Sequence, residues 1–163
     1  MKADIRTISR SAVIAAAYAA LSAISSMFGL AYGPVQFRLS EALCVLPRRY
    51  PSAVAGVFLG CLLTNILSPY GLLDLVVGSL TTLLAALWSS RCRTDVGAAV
   101  PPVLLNALFI GILIAWQETG SFAGGAFFAA FAANAFSVSL GQAVVCFGVG
   151  VPLLRLLAKY LHD

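Results

Sequence analysis

Long apolar runs broken by short polar segments dominate this chain. They fall at about 8–30, 38–47, 52–67, 72–90 and 96–116, followed by a tract from Phe122 to Leu161. A bilayer core about 30 Å thick needs about 20 mostly apolar residues per helical crossing. Most of these runs meet that length, and the last, at about 40 residues, could hold one crossing or two. Basic residues decide between them. They cluster at Lys2/Arg6/Arg10, Arg48/Arg49, Arg91/Arg93 and Arg155/Lys159, whereas the alternate connections 29–37, 68–71 and 117–125 carry none. Cytoplasmic loops collect Lys and Arg. The pattern therefore predicts six crossings with both termini cytoplasmic, the sixth helix over 134–161 and residues 122–133 as an apolar outer segment. The second helix is short. Residues 38–46 rise only about 14 Å as an α-helix, so the outer loop before it must dip inward.

Composition strengthens the picture. Of 163 residues, 61% are hydrophobic and 10% charged, and the mean hydropathy is +0.97; globular domains run at roughly 45–50% and 25%. A soluble fold of this size could not hide so much apolar side chain, which excludes the soluble enzyme, the nucleic-acid module and the disordered linker. The chain reads as an all-α integral membrane protein, a single transmembrane domain. Its net charge of +4 is explained by topology rather than by nucleic acid. The N-terminal charges before an apolar run mimic a secretory signal, but further spans follow instead of a polar mature domain, so the segment is expected to be a retained helix. Cys44, Cys61, Cys92 and Cys146 lie far apart, with neither CxxC spacing nor a disulfide framework; no metal or cofactor is expected.

Three ionisable residues break the pattern: Arg38, Glu41 and Asp74. Charges at membrane depth are costly and usually face a cavity or each other. Arg38 and Glu41, three apart, could form a structural ion pair, and Asp74 could cap its helix's first turn. Against those readings stands convergence. Tyr32, Gln36, Arg38, Glu41, Asn65, Tyr70, Asp74, Gln117 and Glu118 all fall in the outer half of the predicted topology. A polar, aromatic-lined pocket open to the outside accounts for them economically. Ala12, Ala16 and Ala20 make a small-residue row, with Ala15, Ala19 and Ala23 parallel to it, and Gly56 and Gly60 give the third helix a GxxxG face. Such surfaces allow close helix approach, either inside the bundle or toward another membrane protein. Asn106 and Asn134 are interhelical glue or pocket amides; Gln142 reads as glue. No GxxxxGK[ST], HExxH or GxSxG motif occurs, so ATP hydrolysis by the usual route and the familiar hydrolase sites are not encoded.

The stretch YGPVQFRLSEALCVLP (32–47), followed by GVFLGCLLTNIL (56–67) and GLLDLVVGSLTTLLAAL (71–87), resembles the QueT family, the queuosine-precursor substrate-binding S-components of energy-coupling-factor (ECF) transporters. The resemblance runs from the first helix through Leu87 and more loosely over the last two helices; the short tail and the PRRYPSA segment (47–53) are less familiar. It implies a six-helix bundle in the cell membrane. A pocket near the outer surface would take a 7-deazaguanine such as preQ0, preQ1 or queuine. An AxxxA-type first helix (Ala12, Ala16, Ala20) would dock a coupling transmembrane protein, the T-component, that carries two cytoplasmic ATPases. A deazaguanine presents two adjacent N–H donors, a carbonyl and a flat π-face. A carboxylate can accept both donors; Glu41 is preferred over Asp74, which has the better capping alternative. Arg38 or Asn65 would donate to the carbonyl, and Tyr32, Tyr70, Trp116 or Phe37 would stack. Asp74 or Glu118 would balance the aminomethyl cation of preQ1. The alternatives are a stand-alone proton-coupled transporter with Glu41 or Asp74 as the proton site, an S-component for another vitamin, and a structural membrane protein.

Overall fold

The structure, a computed structural model, describes residues 5–30, 35–66, 68 and 71–160. These form six helices: α1 (Ile5–Met27), α2 (Leu39–Arg48), α3 (Ala53–Asn65), α4 (Gly71–Ser89), α5 (Gly97–Thr119) and α6 (Gly125–Tyr160). The described residues contain no strand. Four of the helices, α1, α4, α5 and α6, are long and apolar enough to cross a membrane. Their outward faces are apolar: Leu72, Val76, Leu80 and Leu84 make an exposed stripe along α4. An exposed band of this kind fits a lipid environment rather than water, and the chain is a multi-pass membrane protein.

The centre of the bundle is its shortest helix. α2 is a ten-residue 3₁₀ helix in which every residue from Ser40 to Pro47 is buried. At about 2.0 Å per residue it spans about 20 Å, where an α-helix of that length would span about 15 Å. The chain enters it extended at Arg38 (φ −94°, ψ 94°). On the way in, it lies back along α1: Phe37 N–H donates to Leu30 O (2.8 Å), Leu39 N–H to Ser25 Oγ (3.0 Å), and the Ser22 hydroxyl to Ser40 Oγ (2.7 Å). Leu43, Cys44, Val45 and Leu46 then pack with Tyr18, Val57, Cys61, Ala86, Ala98, Cys146 and Leu154, so that all five other helices meet around α2.

Small residues set the closest approaches. A Cβ on Gly56 would lie 2.8 Å from Ile14 Cβ, and one on Gly60 would lie 2.6 Å from Tyr18 Cβ. The GxxxG face of α3 is therefore spent inside the protein, against α1. Gly141 on α6 lies directly under the backbone of Gln36, which seats the incoming segment on the last helix. By contrast Ala12, Ala16 and Ala20 are exposed.

Two departures from regular α geometry lie in long helices, a π segment at Asp74–Gly78 in α4 and another at Cys146–Gly150 in α6. The last helix also differs from the sequence expectation, for it starts at Gly125 instead of 134. Gly111 of α5 touches the Ala135 backbone, and Phe127 packs on Phe122, Phe128 and Phe131. The first turns of α6 are thus held by neighbours where periodicity alone showed only an apolar run. At 1.5 Å per residue, its 36 residues reach about 54 Å, well past a 30 Å hydrocarbon core.

At the end of the bundle opposite those aromatics, Arg49 grips Asp95 with two bonds, Nε to Oδ1 (3.0 Å) and Nη2 to Oδ2 (2.7 Å). They join the turn after α2 to the α4–α5 connection. The hydrogen bond from Arg49 holds the Asp95 carboxyl below its ordinary value, reinforced by the guanidinium charge and opposed by partial burial.

Two measurements check this packing. Gly141→Ala should destabilise the bundle by about 1–3 kcal/mol, as overpacking does, because a methyl there meets Gln36 backbone. Gly148→Ala, where nothing lies within 4 Å, should leave thermal unfolding unchanged. For Asp95 the folded state favours the carboxylate. Its stabilisation is therefore present above the unfolded carboxyl value of about 4 and is lost as pH falls through the lower folded value. Asp95→Asn should remove that acid-side slope from the wild-type stability profile, and an unaltered slope would exclude the pair as its source.

Candidate functional site

Above Gly60, α1 and α3 diverge and leave a cavity of about 420 Å³. Its wall is largely apolar, with Ala19, Ala23 and Leu63 in it, and carries polar groups from Tyr18, Ser22, Ser25 and Ser26 of α1, Thr64 and Asn65 of α3, and Arg38 of the segment entering α2. The α1 residues at 18, 22 and 25 share a face because helical neighbours recur three and four apart.

Behind Arg38 stands Asp74. Arg38 Nη2 lies 3.4 Å from Asp74 Oδ2, and the aspartate is fully buried. The Ser68 hydroxyl donates to the same oxygen at 2.6 Å, while Oδ1 has no hydrogen-bond partner among the described residues. Asn65 explains the local helix form. Its Nδ2 donates to the Asp74 carbonyl (3.0 Å) and approaches Ser79 Oγ (3.4 Å), so a side chain intrudes where the regular ladder of α4 gives way to the π segment. Gly78 makes the room, since a Cβ there would lie 2.6 Å from Asp74 Oδ1 and 2.8 Å from Asn65 Nδ2. Such π segments recur at functional sites.

Glu41 occupies a different place, one layer deeper. The Tyr18 hydroxyl donates to its Oε1 at 2.6 Å, Cys44 Sγ to Oε2 at 3.2 Å, and Asn106 Nδ2 approaches Oε2 at 3.5 Å. The thiol of Cys146 reaches its main-chain oxygen at 3.5 Å. Four helices, α1, α2, α5 and α6, thereby converge on one residue that is 1% exposed. Arg38 pairs across helices with Asp74 and makes no salt bridge with Glu41, although the two are close in sequence. Arg38 precedes the helix in an extended conformation, so the shared helical face assumed for the pair does not exist.

The sequence-predicted residues therefore separate into groups. Arg38 and Asn65 line the cavity, with Asp74 bonded to both. Glu41 touches the cavity only through Tyr18. Gln36 is buried against Gly141. Trp116 stacks on Phe122 at the end of α5 (5.5 Å between centroids), and Glu118 accepts from Asn134 (2.9 Å) on the exposed surface; neither lines the cavity. Tyr32 and Tyr70 lie outside the described residues. Tyr18 and the α1 serines were not anticipated. Their spacing of three and four on an otherwise alanine-rich helix was the available signal.

The family model described as QueT transporter matches residues 8–159. The queuosine precursor transporter QueT of Lactococcus lactis subsp. cremoris (strain MG1363) is 38% identical over 80 residues, which is 49% of this chain and 45% of that relative. The matched stretch thus spans less than half of that relative's length. No solved structure matches. A buried Arg38–Asp74 pair beside a small-molecule-sized cavity, in a helical membrane protein matched over nearly its whole length, agrees with one assignment: the chain belongs to the QueT transporter family.

Proposed function

We propose that this protein is the membrane substrate-binding subunit of an ECF-type importer, and that it captures a 7-deazaguanine queuosine precursor from outside the cell. The relative from Lactococcus lactis is named for a queuosine precursor, which supports that substrate class. The observation that carries the reading is the cavity between α1 and α3, whose wall brings Arg38 and Asn65 together with Asp74 behind them. At about 420 Å³ it lies within the usual size range of small-molecule sites. In this arrangement Arg38 or Asn65 donates to the ligand carbonyl. Asp74, bonded to Arg38 from behind the cavity wall, holds that guanidinium in place and balances the charge of a cationic ligand. Glu41 supports the Tyr18 ring beneath them.

The same reading places both termini in the cytoplasm of a six-crossing protein in the cell membrane. The clusters Arg48/Arg49, Arg91/Arg93 and Arg155/Lys159 then face inward, as the positive-inside rule requires. The exposed row Ala12, Ala16 and Ala20 is the face that receives the coupling T-component, which brings two cytoplasmic ATPases. Small residues permit that close helix contact in lipid. The protein contributes capture and no catalysis.

Binding tests the first half. A ligand at a hundred times its Kd adds about 2.7 kcal/mol of stability. A thermal-shift screen against preQ0, preQ1, queuine, guanine and unrelated vitamins should therefore single out a deazaguanine; a vitamin as the sole hit would replace the substrate class. Arg38→Ala and Asp74→Asn should each weaken binding about tenfold or more, since hydrogen bonds to charged groups are worth about 1.5–3 kcal/mol. Unchanged affinity in both variants would move the site elsewhere. Uptake tests the second half. Ala16→Leu should abolish transport while leaving binding intact, and uptake driven by a proton gradient without ATPases would favour a stand-alone transporter.

A further inference from the structure

The orientation of the Asn65 amide is fixed by its surroundings. Nδ2 donates to the Asp74 main-chain oxygen at 3.0 Å and approaches Cys61 Sγ at 3.3 Å and Ser79 Oγ at 3.4 Å. A main-chain carbonyl only accepts, so the amide nitrogen must face it, and both N–H groups are engaged on that side. Oδ1 points the other way and has no hydrogen-bond partner among the described residues. Nor is it sealed off. The partnerless side-chain atoms without accessible area are Asp74 Oδ1 and Arg48 Nε, so the 4% of Asn65 that stays exposed includes its amide oxygen. Asn65 lines the cavity between α1 and α3, and an open acceptor therefore stands on that wall. Neighbouring groups have spent their protons as well. Tyr18 donates to Glu41 Oε1, Ser25 to Leu21 O, and Thr64 to Gly60 O and Cys61 O, which leaves these oxygens only lone pairs. Arg38 supplies the wall's one cation.

Asp74 sets both readers at once. Its carboxylate holds Arg38 (Nη2 to Oδ2, 3.4 Å), and its main-chain oxygen turns the Asn65 amide. A cationic donor and a neutral acceptor thus share one stretch of wall. The ligand edge complementary to them is a carbonyl beside a ring N–H, a cyclic lactam. We propose that Asn65 is a specificity-determining residue, its Oδ1 accepting the ring N–H that adjoins a carbonyl held by Arg38. This role rests on a deazaguanine occupying the cavity, as proposed for the substrate, and narrows that reading: Asn65 reads a donor, and the carbonyl falls to Arg38. A heterocycle with the reversed edge, an amine beside an unprotonated ring nitrogen, meets Arg38 with N–H against N–H and Asn65 with lone pair against lone pair. Polar groups left unpaired on both sides make that mismatch costly.

The experiment uses the full purified chain in detergent and isothermal titration with three probes. These are 7-deazaguanine, its N1-methyl derivative, and 2,6-diamino-7-deazapurine, which has the same outline and the reversed edge. The wild type should bind 7-deazaguanine about a hundredfold more tightly than the diamino compound, about tenfold for each mispaired contact. The N1-methyl derivative should lose about tenfold or more. Asn65→Leu should weaken 7-deazaguanine about tenfold and leave the diamino compound no weaker, so that the ratio between them falls; a purely structural role would weaken both alike. Asn65→Ser, smaller than the native residue, should lower the ratio in the same way, and if neither variant folds the two wild-type contrasts decide. Equal binding of 7-deazaguanine and the diamino compound by the wild type overturns the role of Asn65 and leaves the substrate reading standing. So does an N1-methyl derivative that binds as tightly as its parent, or an unchanged ratio in a folded variant. Failure of the wild type to bind 7-deazaguanine at all overturns the substrate reading itself, and the role of Asn65 with it.

Discussion

A carboxylate placed at the centre of an apolar bundle can be tolerated only if its oxygens are occupied, because an unsatisfied buried charge costs far more than any single packing contact. Glu41 meets that condition with donors from α1, α2 and α5. The requirement works outward from there. Tyr18 must stand beside α2, which brings α1 close. Gly60 must be bare, because Tyr18 fills the space where its side chain would go. Asn106 must face inward, which sets the rotation of α5; its amide also bonds back to Pro102 O (2.9 Å). One buried acid thus dictates the mutual orientation of three helices, and the thiol of Cys146 brings in a fourth.

Irregular backbone collects around the same centre. α2 is 3₁₀ throughout, and the π segments of α4 and α6 flank it. Each has a local cause. Asn65 intrudes on α4, and Gly150 on α6 lies against Ala42 O and Val45 of α2, where a Cβ would come within 2.8 Å. In a low-dielectric interior the backbone groups freed by such departures must find partners, and side-chain amides and hydroxyls near α2 supply them.

Much of the fold was legible in the chain. Apart from the start of α6, apolar runs and the spacing of arginine pairs located the helices to within a few residues, and two of the three charges that broke the pattern, Arg38 and Asp74, meet in space. What periodicity could not deliver was pairing. Arg38 and Glu41 look like partners only if the segment is an α-helix from its first residue, and nothing in a hydropathy pattern separates 3₁₀ from α over ten residues. The start of α6 was hidden for a related reason. Phe127, Phe128 and Phe131 are as apolar as an outer segment lying on lipid would be, and the helix they begin is seated by Gly111 of α5 against the Ala135 backbone, a contact far away in sequence. Tyr18 does not stand out on the alanine-rich first helix because its role depends on Glu41 opposite.

The ten residues of α2 serve as a strut cut to length. Its upper fastenings, the guanidinium of Arg38 on one carboxylate and the phenol-bound Glu41 below, lie one 3₁₀ turn apart, and Arg49 on Asp95 fastens its far end. Coiling the strut into the tighter-rising α form would draw its ends together by about 5 Å, a distance neither fastening can stretch to cover. The wall of the cavity and the middle of the bundle are therefore mechanically one object, and whatever pulls on the former is felt by the latter.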